Sequence, residues 1–103
     1  MSDVATSSAL ALVSPGVFRL NAPLTFASVA SLRKLGLRAI ESAPDGLTIE
    51  LHSVPAVDSA GLALLIDWLA SARAQSRTLK YASPPPTLLS LARLSEVDKL
   101  IAG

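Results

Sequence analysis

The chain has 103 residues, half of them apolar, with nine basic and eight acidic side chains and a formal net charge of +1. That length makes one domain the natural reading, and the apolar share suffices for a core without crosslinks. The balanced charge, scattered basic residues and few aromatics argue against a nucleic-acid surface; the absence of cysteine excludes disulfides and thiol chemistry and fits a reducing compartment.

Residues 1–8 are small and polar and read as a loose tail, leaving 9–103 as the domain. No Lys or Arg precedes Arg19, and the first apolar stretch is too short for a signal peptide. No apolar run approaches the roughly 20 residues that span a bilayer. The expectation is a soluble cytoplasmic protein without direct membrane insertion.

Ala9 to Val13 reads as a first strand, and Ser14-Pro15-Gly16 as a turn. Val17 to Ala22 alternates as a second strand, so the two form a hairpin. Leu24 to Ser42 predicts a helix with Thr25 as cap and a stripe of Phe26, Val29, Leu32, Leu35 or Gly36, and Ile40. Ala43-Pro44-Asp45-Gly46 ends it with turn chemistry. Leu47 to Leu51 (L-T-I-E-L) is a third strand, and Ala60 to Gln75 a second helix. Thr78 to Ala82 is a fourth strand. Three prolines then lead into a helix over Thr87 to Leu94, and Ser95 caps a last one reaching Ala102. The order ββαβαβαα predicts an α/β fold, a mixed four-stranded sheet covered by three to four helices.

The stretch A-V-D-S-A-G-L-A-L-L-I-D-W, Ala56 to Trp68, carries the functional question. A helix start leaves about four backbone N–H groups unpaired. Asp58 or Ser59 would cap them, and Asp58 also complements the positive end of the helix dipole. Gly61 in the first turn costs about 1 kcal/mol against alanine, which points to a close backbone approach or an exposed backbone surface. Leu62, Leu65, Ile66 and Leu69 share one side of the helix. Leu64 and Trp68 lie on another, and so pack against a neighbouring helix or face a partner. Capping plus packing alone would also account for these residues.

Enzymatic readings are weaker. His52, Asp58 and Ser59 supply the residue types of a hydrolase triad, but G-x-S-x-G is absent. One histidine, no cysteine and no paired carboxylates leave no metal site, and no glycine-rich phosphate loop occurs. No catalytic residue and no cofactor is expected.

The strand L-T-I-E-L-H, followed by S-V-P-A-V-D-S-A-G-L-A-L-L, a helix, the strand at Thr78 and a C-terminal helix resemble a STAS domain over roughly residues 9–102. Asp58-Ser59-Ala60-Gly61-Leu62 matches the family's signature of Asp, small or hydroxyl residues and Gly-Leu. The resemblance implies a non-catalytic module and two competing roles. In anti-sigma-factor antagonists a hydroxyl after the Asp is phosphorylated by a partner serine kinase, which would make Ser59 the acceptor. In MlaB-like members the domain binds the cytoplasmic ATPase of a phospholipid-transporting ABC complex, and through it the permease, in outer-membrane lipid asymmetry. G-L-A-L-L, and Ala60 where antagonists usually carry a second hydroxyl, favour the MlaB-like branch. The resemblance then implies a location peripheral to the inner membrane through that partner. The expected partner surface is Asp58, Ser59, Ala60, Gly61, Leu64 and Trp68.

Overall fold

A computed structural model describes residues 9–102, so the tail expected at residues 1–8 lies outside the described residues, as does Gly103. Strands β1 (Leu10–Ser14) and β2 (Val17–Leu20) pair antiparallel. Their turn places Gly16 at φ +74°, a left-handed conformation that suits glycine. Strand β3 (Leu47–Glu50) runs parallel to β2, and β4 (Leu79–Ala82) parallel to β3, giving the order β1-β2-β3-β4. Parallel neighbours require crossovers, and helices α1 (Val29–Ser42) and α2 (Ser59–Ala74) supply them. Helices α3 (Pro86–Leu94) and α4 (Asp98–Ala102) complete the expected order ββαβαβαα.

Period-two alternation sorts the strand residues into two faces. Leu10, Phe18, Leu20, Leu47, Ile49 and Leu79 are buried beneath the helices. Arg19, Thr48, Glu50 and Lys80 point the other way and keep contact with solvent. Arg19 and Glu50 stand opposite each other in register and form an ion pair at 3.1 Å. No helix among the described residues is long and apolar enough to cross a membrane.

Two helix boundaries differ from the sequence expectation, for reasons of hydrogen bonding. α1 begins at Val29, not Leu24, and Thr25 is not its cap. The Leu24 backbone is already committed: its N–H donates to Ala56 O at 2.8 Å and its carbonyl accepts from Asp58 N at 3.0 Å. Ser28 precedes the helix instead, its hydroxyl accepting from Thr25 N at 3.1 Å. At the other end, Ser95 closes α3 and does not open α4. Glu96 takes φ +60°, with Glu96 N bonded to Arg93 O and Val97 N to Ala92 O. This is a Schellman arrangement that satisfies the last carbonyls of α3.

The expected helix stripe loses one member. Leu32, Gly36 and Ile40 are buried, whereas Phe26, which belongs to the turn before the helix, is 81% exposed. α2 is apolar on more than one side. Leu62 and Leu65 are buried, and Leu64 and Trp68 are buried too, with Trp68 fully enclosed. The indole lies over Gly36 of α1 and donates to Arg33 O at 3.3 Å. A methyl at position 36 would overlap that ring, so the glycine is what lets the two helices close.

Candidate functional site

The site is built where three segments meet at the start of α2. Asp58 is its N-cap, with extended backbone, and Oδ1 accepts from Gly61 N at 3.1 Å. Oδ2 accepts from Phe26 N at 3.0 Å, which ties the segment before α1 to the start of α2. These N–H groups, Phe26 first and Gly61 next, hold the Asp58 carboxyl below the ordinary aspartate value. Both oxygens are thus occupied by backbone donors, and no hydrogen bond joins Asp58 to His52 among the described residues. No group of three or more potential metal ligands occurs among the described residues.

Gly61 is buried and makes the junction possible. A Cβ there would overlap the Leu24 carbonyl and lie 2.6 Å from Leu24 Cβ. Of the two readings the sequence left open, close backbone approach is the one observed. Ser59, the first helical residue, is exposed, and its hydroxyl has no hydrogen bond among the described residues. Ala60 is half-buried beside it.

Two grooves flank this end of the helix. One, of about 560 Å³, runs between the α2 start and α3 past Val57, Ser59, Thr87, Ser90, Leu91 and Leu94. The other, of about 310 Å³, lies between α1 and α2 along Val29, Ala30, Arg33, Ala60, Ala63, Leu64 and Asp67. The Arg33–Asp67 ion pair, at 3.2 Å, crosses its rim. Phe26 stands next to Asp58, and Leu94, 83% exposed, stands across the first groove.

The expected surface is therefore corrected in part. Asp58, Ser59 and Ala60 lie together at an accessible helix end. Trp68 does not present a surface, because the indole is enclosed over Gly36 of α1, and Leu64 is buried at the floor of the groove between α1 and α2. Gly61 shapes the site from beneath. Sequence reasoning missed Phe26 and the α3 residues Thr87, Ser90 and Leu94. Phe26 fell in step with a helical stripe, and nothing in the α3 sequence says which face will meet the start of α2.

The geometry defines a class: an α/β fold on a mixed sheet, with an acid-capped, hydroxyl-bearing helix end turned outward. The family model described as "Mlab, STAS domain" matches residues 9–102, and the chain belongs to that STAS family. No match was found among curated proteins. Among solved structures, a putative anti-sigma factor antagonist from Thermotoga maritima aligns with a TM-score of 0.72 at 17% identity, covering 88% of this chain and 80% of that one. The anti-sigma factor antagonist SpoIIAA in its unphosphorylated form aligns with 0.69 at 21%, covering 89% and 83%. The Bacillus cell fate determinant SpoIIAA in its phosphorylated form aligns with 0.65 at 21%, covering 89% and 86%. At these identities the likeness is one of fold.

Proposed function

We propose that the protein is a non-catalytic docking module, a STAS subunit that binds the cytoplasmic ATPase of a phospholipid-transporting, Mla-type ABC complex and supports its assembly or activity. The observation that carries this reading is the outward end of α2. Asp58 is locked by Phe26 and Gly61, Ser59 stands free, and apolar side chains rise on either side. Such a surface combines unpaired donors with desolvatable area, the mixture partner proteins use. Residues 9–102 match the Mlab description over almost the whole chain, and Ala60 stands where a second hydroxyl would favour phosphorylation control. The module would sit at the inner membrane only through its partner.

A pull-down from native membranes with the tagged chain tests the proposal. The expected result is an ATPase recovered together with its permease. Ser59→Asp should lower that recovery while the domain stays folded, since it sets a second carboxylate beside Asp58. Recovery of a serine kinase or sigma-regulating protein alone overturns the reading.

One observation favours a second role. Ser59 is an exposed hydroxyl at a helix start, where a phosphate would add about −1.5 to −2 charges next to Asp58 and change docking without changing the fold. The protein would then be an anti-sigma-factor antagonist switched at Ser59. A stable phosphate on Ser59 after incubation with a partner kinase, read by intact mass, supports this role over the first.

A further inference from the structure

The proposed docking end has two flanks, and charge and rigidity distinguish them. On the α3 flank the groove is lined by apolar and hydroxyl-bearing residues together with Asp58, and Leu94 is its exposed apolar group. On the α1 flank stands Phe26, with Lys34 and Arg38 further along the outer face of α1, both exposed. Arg33 is paired with Asp67, but neither Lys34 nor Arg38 has a carboxylate partner among the described residues. Glu41, three residues beyond Arg38, forms no ion pair with it. The Asp58 carboxylate is already bonded to Phe26 N and Gly61 N.

Phe26 is 81% exposed, yet the backbone that carries it is held on both sides. Leu24 N donates to Ala56 O at 2.8 Å, and Leu24 O accepts from Asp58 N at 3.0 Å. Phe26 N donates to Asp58 Oδ2 at 3.0 Å, and the Ser28 hydroxyl donates to Pro23 O. An exposed aromatic on a fixed backbone loses little freedom on binding, and that is the property of an anchor residue. The groove between α1 and α2 begins at Val29, three residues on. Its walls include Ala30, Ala60 and Ala63 and its floor is Leu64, so it has room for an apolar side chain from outside.

We infer that the partner covers the α1 flank, through an acidic segment that receives the Phe26 ring, sets an apolar side chain in the α1–α2 groove and brings carboxylates to Lys34 and Arg38. This rests on the docking reading above and adds the side and the chemistry of the contact. Charge complementarity is what calls for acid: two exposed cations without partners lie beside the anchor, whereas the α3 groove offers no cation among its lining residues. Such rim charges act on association rate and orientation, and salt screens them. The α3 groove stays open to solvent.

Surface plasmon resonance with the full chain immobilised, and the ATPase–permease complex recovered with it as analyte, tests the inference. Phe26→Ser should weaken binding at least ~10-fold. Lys34→Glu combined with Arg38→Glu should slow association at least ~10-fold at low salt, with the gap closing at high salt. Leu94→Ser, on the other flank, should change affinity less than ~2-fold. All four positions are exposed, so circular dichroism should be unchanged in each variant. Equal losses for Phe26→Ser and Leu94→Ser, or association that ignores the charge reversal, would each overturn the inference. Capture of a serine kinase in place of the ATPase would bring down the ABC-complex reading alone, and the same comparison of flanks, made with that kinase, then decides this one.

Discussion

Gly61→Ala is the sharpest probe of the junction that creates the site. The added Cβ would overlap the Leu24 carbonyl and sit 2.6 Å from Leu24 Cβ, whereas carbon atoms rest at about 3.5–4.0 Å, so the 24–26 segment must retreat by at least about 1 Å. That movement stretches Leu24 N to Ala56 O (2.8 Å), Asp58 N to Leu24 O (3.0 Å) and Phe26 N to Asp58 Oδ2 (3.0 Å) beyond useful bonding distance. Each bond contributes about 1 kcal/mol net, and alanine returns about 1 kcal/mol in helix propensity, which leaves a loss of about 2 kcal/mol. For a domain of this size that lowers Tm by about 10 °C. Thermal unfolding followed by far-UV circular dichroism measures it, with urea midpoints as a second reading. Partner binding should fall as well, because Phe26 and Asp58 lose their mutual anchor. A Tm within about 2 °C of the parent would refute the claim that close backbone approach, rather than an exposed glycine surface, selects residue 61.

Three further outcomes follow from individual side chains. Trp68→Ala should cost about 3–5 kcal/mol and show as a large drop in urea midpoint, because it empties the space over Gly36; a change under about 1 kcal/mol would place the indole at the surface. Asp58 titrates below its ordinary value when folded, so its contribution is complete above about pH 4, the unfolded range, and disappears as pH falls through the folded value. Asp58→Asn should therefore be less stable than the parent near neutrality, with the gap closing in acid; a pH-independent gap in denaturant titrations would contradict this. Tyr81, the only tyrosine, is pushed up by burial and by the Asp67 charge, and its hydroxyl donates to Leu65 O at 2.6 Å. Its raised folded value means stability is complete below about pH 10 and lost as pH rises beyond it, so phenolate absorbance should emerge only with unfolding, and Tyr81→Phe should cost about 1 kcal/mol at neutral pH.

Much of this protein was legible from residue order alone. Period-two alternation at L-T-I-E-L marked a strand with one face inward, Ser14-Pro15-Gly16 closed the hairpin, and an acid before G-L-A-L-L announced a capped helix start. These are local effects, set by backbone conformations and side-chain period within a few residues, and the sequence therefore determined the elements, their order and the STAS signature. What covers each face was decided only in three dimensions. Trp68 and Leu64 share a ridge on α2, and periodicity cannot distinguish a ridge facing solvent from one facing α1; Gly36, thirty-two positions earlier, settles it by leaving room for the indole. Phe26 kept step with a buried stripe, yet the pairing of Leu24 with Ala56 and Asp58 stops the helix short and turns the ring outward beside the site. Long-range backbone bonds and side-chain volumes compete with local preference there, and because their partners are remote in the chain, only the tertiary structure could show which would prevail.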